Sequence, residues 1–343
     1  MTTTMRALQS LVTGGPETLE LRQVPVPQPG PGEVRLRVQA VGVNYPDLLI
    51  IADRYQFKPA RPFSPGAEVA GVVDALGEGV SAPAPGTRVL AMLGWGGMAE
   101  YVTLKATDCF AVPDAMPVDE AAGFLLTYGT SWHALRDRAA LRPGETLLVM
   151  GAAGGVGLAA VELGRAMGAT VIAAVSSPDK LAVAMEAGAH KGVVYPSGPL
   201  DREAQRAFSN AIKAEAGAGG VDVIYDPVGG DYAEPALRAI ARGGRYLIVG
   251  FPAGIPAVPF NLPLLKECDL RGVFWGSHIE HDPQGHRAAV AELLDLYAQG
   301  KIRPRIHSRH ALQDGGKAIG LLATRGVTGK VVVMVDETAL ATR

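Results

Sequence analysis

Residues 144–180 read GETLLVMGAAGGVGLAAVELGRAMGATVIAAVSSPDK. Leu147-Leu148-Val149-Met150 is a short apolar run followed at once by glycine, as suits a strand buried on both faces of a parallel sheet. Val156, Ala160, Leu163 and Met167 then recur at helical spacing and give the next segment one apolar stripe. Gly168 closes that helix, and Val171–Val175 forms the following strand. Between first strand and helix lies Ala152-Ala153-Gly154-Gly155-Val156-Gly157, the G-x-G-x-x-G dinucleotide fingerprint with alanine for its first glycine. Gly154 lets a pyrophosphate approach the backbone, and Gly157 lets helix and strand pack closely. The helix N-terminus supplies free N–H groups and positive partial charge for the phosphates. Alone the motif is weak; set between strand and helix it is a strong signal.

The end of the second strand selects the cofactor. NAD enzymes place Asp or Glu there, about 20 residues past the fingerprint, to hold the ribose hydroxyls. Here the strand runs Ala174-Val175-Ser176-Ser177. A carboxylate would repel a 2′-phosphate, whereas serine hydroxyls donate to it, and Lys180 follows with a positive charge. The reading is NADPH rather than NADH. Asp179 suits the first turn of the next helix.

The chain has 343 residues, 48% of them hydrophobic, and a net charge of −2. That length predicts two domains, and the composition argues against disorder. No polybasic run points to nucleic acid or to an anionic membrane. The start, MTTTMRALQS, has no signal-peptide core. The longest apolar run, Leu147 to Val161, falls short of the roughly 20 residues of a spanning helix. Cys109 and Cys268 are the only cysteines, and the expectation is two reduced thiols in a cytoplasmic protein, with no four-cysteine zinc site.

Residues before about 125 look β-rich. Glu33–Val38 alternates polar and apolar; Val24–Gly32 reads as a turn or extended connector. A short helix is predicted through Ile51, and strands at 68–74, 87–92 and 99–103. Many short strands broken by Gly and Pro predict a small barrel-like domain. Two helical pieces follow, at about 119–126 and 130–138, joined or kinked at Thr127–Thr130. Beyond Lys180 strands (192–195, 221–226, 246–251, 270–275) alternate with helices (181–187, 202–216, 232–242), which implies a doubly wound parallel sheet. A helix at 287–299, another at 315–324 and a strand at 330–335 complete the chain; that last strand is expected to return to the first domain.

These residues resemble the medium-chain dehydrogenase/reductase superfamily and, within it, the zinc-free NADPH:quinone oxidoreductase (ζ-crystallin-like) family. The resemblance rests on Gly42-Val-Asn-x-x-Asp47, Pro65-Gly-Ala-Glu-Val-Ala-Gly71, Leu126-Thr-Tyr-Gly-Thr130, the fingerprint turn, Tyr225-Asp-Pro-Val-Gly229 and Gly329-Lys-Val-Val-Val333. It implies an α/β fold, a Rossmann doubly wound parallel sheet inserted in a GroES-like β-rich catalytic domain. The expected segments are 1–124 catalytic, 125–275 Rossmann and 276–343 catalytic again, with the cofactor in the cleft. It also implies a homodimer, formed by edge-to-edge pairing of residues 270–275. Zinc alcohol dehydrogenases of the superfamily carry a cysteine near Asn44 and a histidine near Ala67. Both ligands are missing here, so no metal is expected. His278, Glu280, His281 and Asp282 read as a solvated polar loop.

The candidate cofactor residues are Ala153, Gly154, Gly155, Val156 and Gly157 at the turn, and Ser176, Ser177 and Lys180 at the 2′-phosphate. By resemblance Lys180 and Tyr195 flank that phosphate, Thr127 lies on the nicotinamide-phosphate side, and Lys330 contacts a cofactor phosphate. Gly250 and Phe251 end a Rossmann strand, where such sheets bind ligands. In the reaction cleft the candidates are Asn44, Tyr55 and Asp47. Tyr55 has the spacing of the proton-donating tyrosine of related enoyl-thioester reductases, or it shapes a pocket; Asp47 orients Asn44 or caps the following helix. Arg54, Lys58 and Arg61 offer a basic patch for a CoA group, and Trp95 and Met98 an apolar lining. The expected chemistry is hydride transfer from NADPH to a quinone. The alternatives are an enone or enoyl-CoA acceptor with Tyr55 as donor, or NADPH binding without catalysis.

Overall fold

The computed structural model describes residues 3–336. Its strands are β1 (Thr4–Ser10), β2 (Leu19–Pro25), β3 (Glu33–Val43), β4 (Glu68–Leu76), β5 (Arg88–Met92), β6 (Tyr101–Lys105), β7 (Cys109–Ala111), β8 (Thr146–Met150), β9 (Thr170–Val175), β10 (Lys191–Val194), β11 (Val221–Asp226), β12 (Ile240–Ile248), β13 (Asp269–Gly272), β14 (Ile306–Ala311) and β15 (Lys330–Met334). The chain divides into two compact units: Thr127–Arg303 is one, and the segments before and after it form the other. The second boundary thus falls at 304 rather than 276. The helix Pro283–Ala298 belongs to the middle unit, where Arg136 pairs with Glu292 and His286 packs on Trp275.

The middle unit is built on a six-stranded sheet in the order β10-β9-β8-β11-β12-β13, parallel throughout. This is the 3-2-1-4-5-6 order of the Rossmann fold. Leu147–Met150 is buried on both faces, as the unbroken apolar run requires. The helices Gly155–Ala166, Pro178–Glu186 and Arg202–Ala216 connect the strands.

Several local expectations are corrected. The break before the sheet lies at Gly123–Phe124, and one helix, Leu125–Trp132, runs through residues 127–130. Gly129 is tolerated inside it because the Trp275 indole packs there; a Cβ at 129 would lie 2.2 Å from that ring. A π-helical turn, His133–Arg138, continues from Trp132. The helix expected through Arg242 ends at Arg238, because Ile240 already pairs with Val221 in the sheet. β12 stops at Ile248, so Gly250 and Phe251 lie beyond it. The edge strand β13 covers only Asp269–Gly272, and Trp275 opens the helix Trp275–His281. His278, Glu280 and His281 are therefore helical, and Asp282 caps the next helix by accepting from the Gly285 N–H at 2.9 Å.

The other unit contains a seven-stranded sheet in the order β14-β15-β3-β4-β5-β7, with β6 also on β3, and the separate β1-β2 pair. Part of the expected connector at 24–32 is thus strand β2. β15 runs antiparallel to β3, so the last described strand completes this sheet. The core holds Leu36, Val41, Ile51, Val89, Met98, Val331 and Val333. Both cysteines are free thiols. No helix among the described residues is long and apolar enough to cross a membrane.

On the helix Gly155–Ala166, Glu162 accepts from the Tyr128 hydroxyl at 2.5 Å and from the Arg303 N–H at 3.0 Å. Burial outweighs both bonds and pushes its carboxyl from 4.5 up to about 7. A raised folded pKa means the native state holds the proton longer than the unfolded chain, so stability falls as pH rises from 4.5 through about 7. Urea titrations at stepped pH should show wild type losing up to about 3 kcal/mol relative to Glu162→Gln across that window. Parallel profiles for the two proteins would contradict this.

Candidate functional site

The nucleotide side is assembled from backbone. After β8, Gly151 takes φ +58°, a left-handed conformation that glycine adopts at no steric cost. The tight turn thus falls one residue before the fingerprint, and Ala152 fits at its first position. Ala152 and Ala153 are buried, and Gly154 caps the helix that starts at Gly155. A Cβ at Gly154 would meet nothing closer than 3.5 Å, whereas one at Gly157 would lie 2.3 Å from the Gly151 carbonyl oxygen. Gly157 is therefore required by packing, and Gly154 keeps the outer face of the turn bare. The turn is braced from below: Ser131 donates to the Val156 carbonyl at 2.9 Å and pairs with the Tyr225 hydroxyl at 2.9 Å. Ser131 has one proton to give, so Tyr225 is the donor in that pair. Burial raises the Tyr225 phenol above its ordinary value.

At the end of β9, Ser177 caps the next helix, its hydroxyl accepting from the Lys180 N–H at 3.3 Å. Its own proton stays available for donation. Lys180 Nζ donates to Ser176 Oγ at 3.0 Å, so Ser176, Ser177 and Lys180 are brought together, and no carboxylate ends the strand. Tyr195 is 6% exposed, its ring packed with Phe208 and Tyr232 at 5.1 and 4.8 Å; the phenol sits in the core rather than on an open face.

Asp226, absent from the sequence candidates, organises the end of β11. It accepts from the N–H groups of Val228 at 2.8 Å and Gly229 at 3.0 Å, and from the Tyr246 hydroxyl at 2.5 Å. Burial raises its pKa. Opposite, Gly230 donates to Gly254 O at 2.7 Å and Ala253 to Val228 O at 2.9 Å. This pins the loop bearing Gly250 and Phe251, and Phe251 is 42% exposed.

The other unit holds a buried polar network. Lys330 is 4% exposed and Glu68 1%. The Lys330 ammonium donates to Glu68 Oε1 at 2.7 Å, Asn44 Oδ1 at 2.6 Å and the Val43 carbonyl at 3.1 Å. All three of its protons are thereby used, so Lys330, expected at a cofactor phosphate, is instead an internal counter-ion. Asn44 Nδ2 donates to Glu68 Oε1 at 2.9 Å and Gly42 O at 3.1 Å, and Glu68 Oε2 accepts from the Leu126 N–H at 2.9 Å. Gly42 is required because a Cβ there would lie 2.2 Å from the Ala122 carbonyl oxygen and 2.5 Å from Glu68. Asp47 accepts from the N–H groups of Asn44 at 2.7 Å and Gly66 at 2.9 Å, so it both caps the helix Tyr45–Ile51 and holds Asn44. Burial pushes its carboxyl up to about 6.

Tyr55 follows that helix, half-buried against the core, its ring 5.9 Å from that of Phe57. Burial, and then the nearby Asp47, raise its phenol pKa, so it stays protonated at neutral pH. The loop is closed at its base by Arg61, which binds both oxygens of Asp53 at 2.9 and 3.1 Å and the Ile51 carbonyl at 2.9 Å. Arg61 is thus withdrawn from the expected basic patch, leaving exposed Arg54 and Lys58. Met98 is fully buried core and not a pocket wall, whereas Trp95 is exposed. Thr127 is buried in the first turn of its helix.

A GroES-like unit interrupted in sequence by a Rossmann unit defines a medium-chain dehydrogenase/reductase. Residues 30–114 match the alcohol dehydrogenase GroES-like domain, and residues 155–298 the zinc-binding dehydrogenase family. The quinone oxidoreductase-like protein 2 homolog of Nematostella vectensis is 37% identical over 305 residues, 88% of this chain and 81% of that protein. The quinone oxidoreductase of Homo sapiens is 30% identical over 96% of this chain and 98% of its own. The structure of Escherichia coli quinone oxidoreductase complexed with NADPH superposes with a TM-score of 0.87 at 27% identity, covering 96% of this chain and 99% of that one. The chain belongs to the quinone oxidoreductase family.

Removing one member of a buried ion pair strands the other, at about 3–5 kcal/mol. Lys330→Met should lower unfolding free energy by that amount in denaturant titrations, and Lys330→Met/Glu68→Gln by clearly less. A single variant as stable as wild type would contradict the network's role.

Proposed function

We propose that this protein is an NADPH-dependent reductase that delivers hydride to a quinone or another conjugated carbonyl without zinc. The observation that carries it is the cofactor end of the sheet. The bare outer face at Gly154, the helix start behind it and the acid-free Ser176–Ser177–Lys180 group fit a dinucleotide with an extra phosphate. NADPH, the cofactor named for the E. coli relative, supplies the hydride when bound. Backbone N–H groups at residues 155–157, in the first turn of the helix, would hold the diphosphate, the Gly154 N–H being bonded to the Gly151 carbonyl at 3.0 Å, and Ser176, Ser177 and Lys180 the 2′-phosphate. Tyr195 is proposed to close that side through its packed ring, and Thr127, Gly250 and Phe251 to border the remaining length of the cofactor.

Zinc-free chemistry is supported by what replaces the ligands. Asn44 stands near the cysteine position of the zinc enzymes, and its amide oxygen is taken by the Lys330 ammonium. Ala67 stands near the histidine position. The first unit's part in the reaction is positioning: Asp47 and Lys330 fix Asn44, and Arg61 closes the loop that presents Tyr55.

A second reading, an enone or enoyl-thioester reductase, is favoured by Tyr55. Held protonated by burial and by Asp47, the phenol has a proton to give to an enolate. NADPH binding without turnover is the reading from another class. We further infer a cytoplasmic homodimer joined at the β13 edge, with the exposed Ile255, Phe260, Leu264 and Leu265 of the segment that precedes β13 as apolar surface for it. A monomer in sedimentation equilibrium would contradict the dimer.

Turnover should be followed as loss of reduced-nicotinamide absorbance with 9,10-phenanthrenequinone, an enone and crotonyl-CoA, with NADPH and NADH side by side. Quinone with NADPH should be fastest, and Lys180→Ala should raise KM for NADPH about tenfold while leaving NADH unchanged. Preference for crotonyl-CoA, lost in Tyr55→Phe, would replace the quinone reading. Tight NADPH binding with no turnover would leave only binding.

A further inference from the structure

His133, Asp137 and His278 each offer one ligand atom, and all three atoms lie within 4.8 Å of one another. They come from two helices of the middle unit. His133 and Asp137 lie four apart on the π-helical turn, a spacing that places both on one face. His278 lies on the helix Trp275–His281. The two helices meet closely because Gly129 leaves room for the Trp275 indole. One turn further along each, the imidazoles of His133 and His278 face each other, ring centroids 4.1 Å apart and planes 17° from parallel.

Hydrogen bonding does not use up this group. Asp137 Oδ2 lies 2.8 Å from His133 Nδ1, a hydrogen bond. The same oxygen lies 3.7 Å from His278 Nε2, too long for one. Among the described residues the His278 ring makes no hydrogen bond at all. Ligand atoms on one tetrahedral ion with bonds near 2.1 Å stand about 3.4 Å apart, and the two measured separations bracket that value. His133 is buried, while Asp137 and His278 keep 38% and 24% side-chain exposure, so the cluster is anchored inside and open to solvent on one side. Both cations on the same turn are engaged elsewhere: Arg136 pairs with Glu292 and stacks on Trp132, and Arg138 donates to the Gly272 carbonyl at 2.9 Å.

We propose that His133, Asp137 and His278 form a binding site for a divalent first-row transition metal ion, with zinc, nickel and cobalt as the fitting class. Two imidazoles and one carboxylate suit these ions and not magnesium or calcium, which take all-oxygen shells. The ion takes one nitrogen from each ring and one carboxylate oxygen, and water completes its coordination. The proton between His133 Nδ1 and Asp137 moves to the other ring nitrogen or to solvent as both atoms bond the ion, and the partly exposed His278 ring turns out of its stack with His133 to bring its nitrogen into line. The site clips the π-helical turn to the helix at 275–281. None of its residues belongs to the unit that carries Asn44 and Ala67, so it is separate from the zinc positions of the alcohol dehydrogenases.

The test uses the full-length protein stripped with chelator and titrated with Zn2+ by calorimetry and with Co2+ by visible absorption, with melting temperature followed alongside. One equivalent should bind, raise the melting temperature and give Co2+ bands of low-symmetry coordination. His278→Ala and Asp137→Ala should each weaken binding by about a hundredfold or more while melting near the metal-free wild type. His133→Gln, at the buried position, is a third arm. No binding by the stripped wild type would overturn the proposal. So would binding undiminished in both His278→Ala and Asp137→Ala, which would place the ion on other histidines.

Discussion

The close approach of one helix to one strand governs the nucleotide half of this molecule. At Gly157 the backbone of the helix Gly155–Ala166 comes so near the Gly151 carbonyl that a single methyl group would lie 2.3 Å from that oxygen. Any side chain there would push the helix away from β8 and with it the N–H groups of the turn. The positive φ of Gly151, the bare face of Gly154 and the brace from Ser131 and Tyr225 all serve the same placement. The helix dipole then points its positive end at one spot beyond the sheet.

The other unit depends on a different economy. A charge is carried into a core where isolated ions are costly, and Lys330, Glu68 and Asn44 make it tolerable by saturating one another. The network joins a strand near the chain's end to one near its beginning, which fits a unit assembled from separated segments. Its consequence is that Asn44 is held in place: it cannot rotate without giving up its bonds to Lys330, Glu68 and Gly42, and Asp47 accepts from its backbone N–H. The quoted motifs around residues 42–47 and 65–71 meet at this cluster.

Much of this was legible in the sequence, and the failures have physical causes. The fingerprint, the β11 strand and the helix Arg202–Ala216 follow from local pattern, since each is decided by residues within one element. Lys330 reads as a cofactor contact from its motif alone, because Glu68, the partner that takes up its charge, is 262 residues away. Gly129 reads as part of an interruption because its reason, the Trp275 ring, comes from another helix. Arg61 looked like part of a basic patch, but the turn that brings Asp53 back to it is a tertiary feature. In sequence His278 groups with Glu280, His281 and Asp282; the structure groups it with His133 and Asp137. Local periodicity reports which face of an element is apolar. It does not report which polar side chains the packing of elements will bring together.

The most direct measurement is a crystal structure of the protein grown with NADPH. The account predicts the diphosphate against the N–H groups of residues 155–157, and the adenosine 2′-phosphate within about 3 Å of Ser176, Ser177 or Lys180. A 2′-phosphate turned to solvent with no contact to those three side chains, or a diphosphate bound away from the glycine turn, would contradict it.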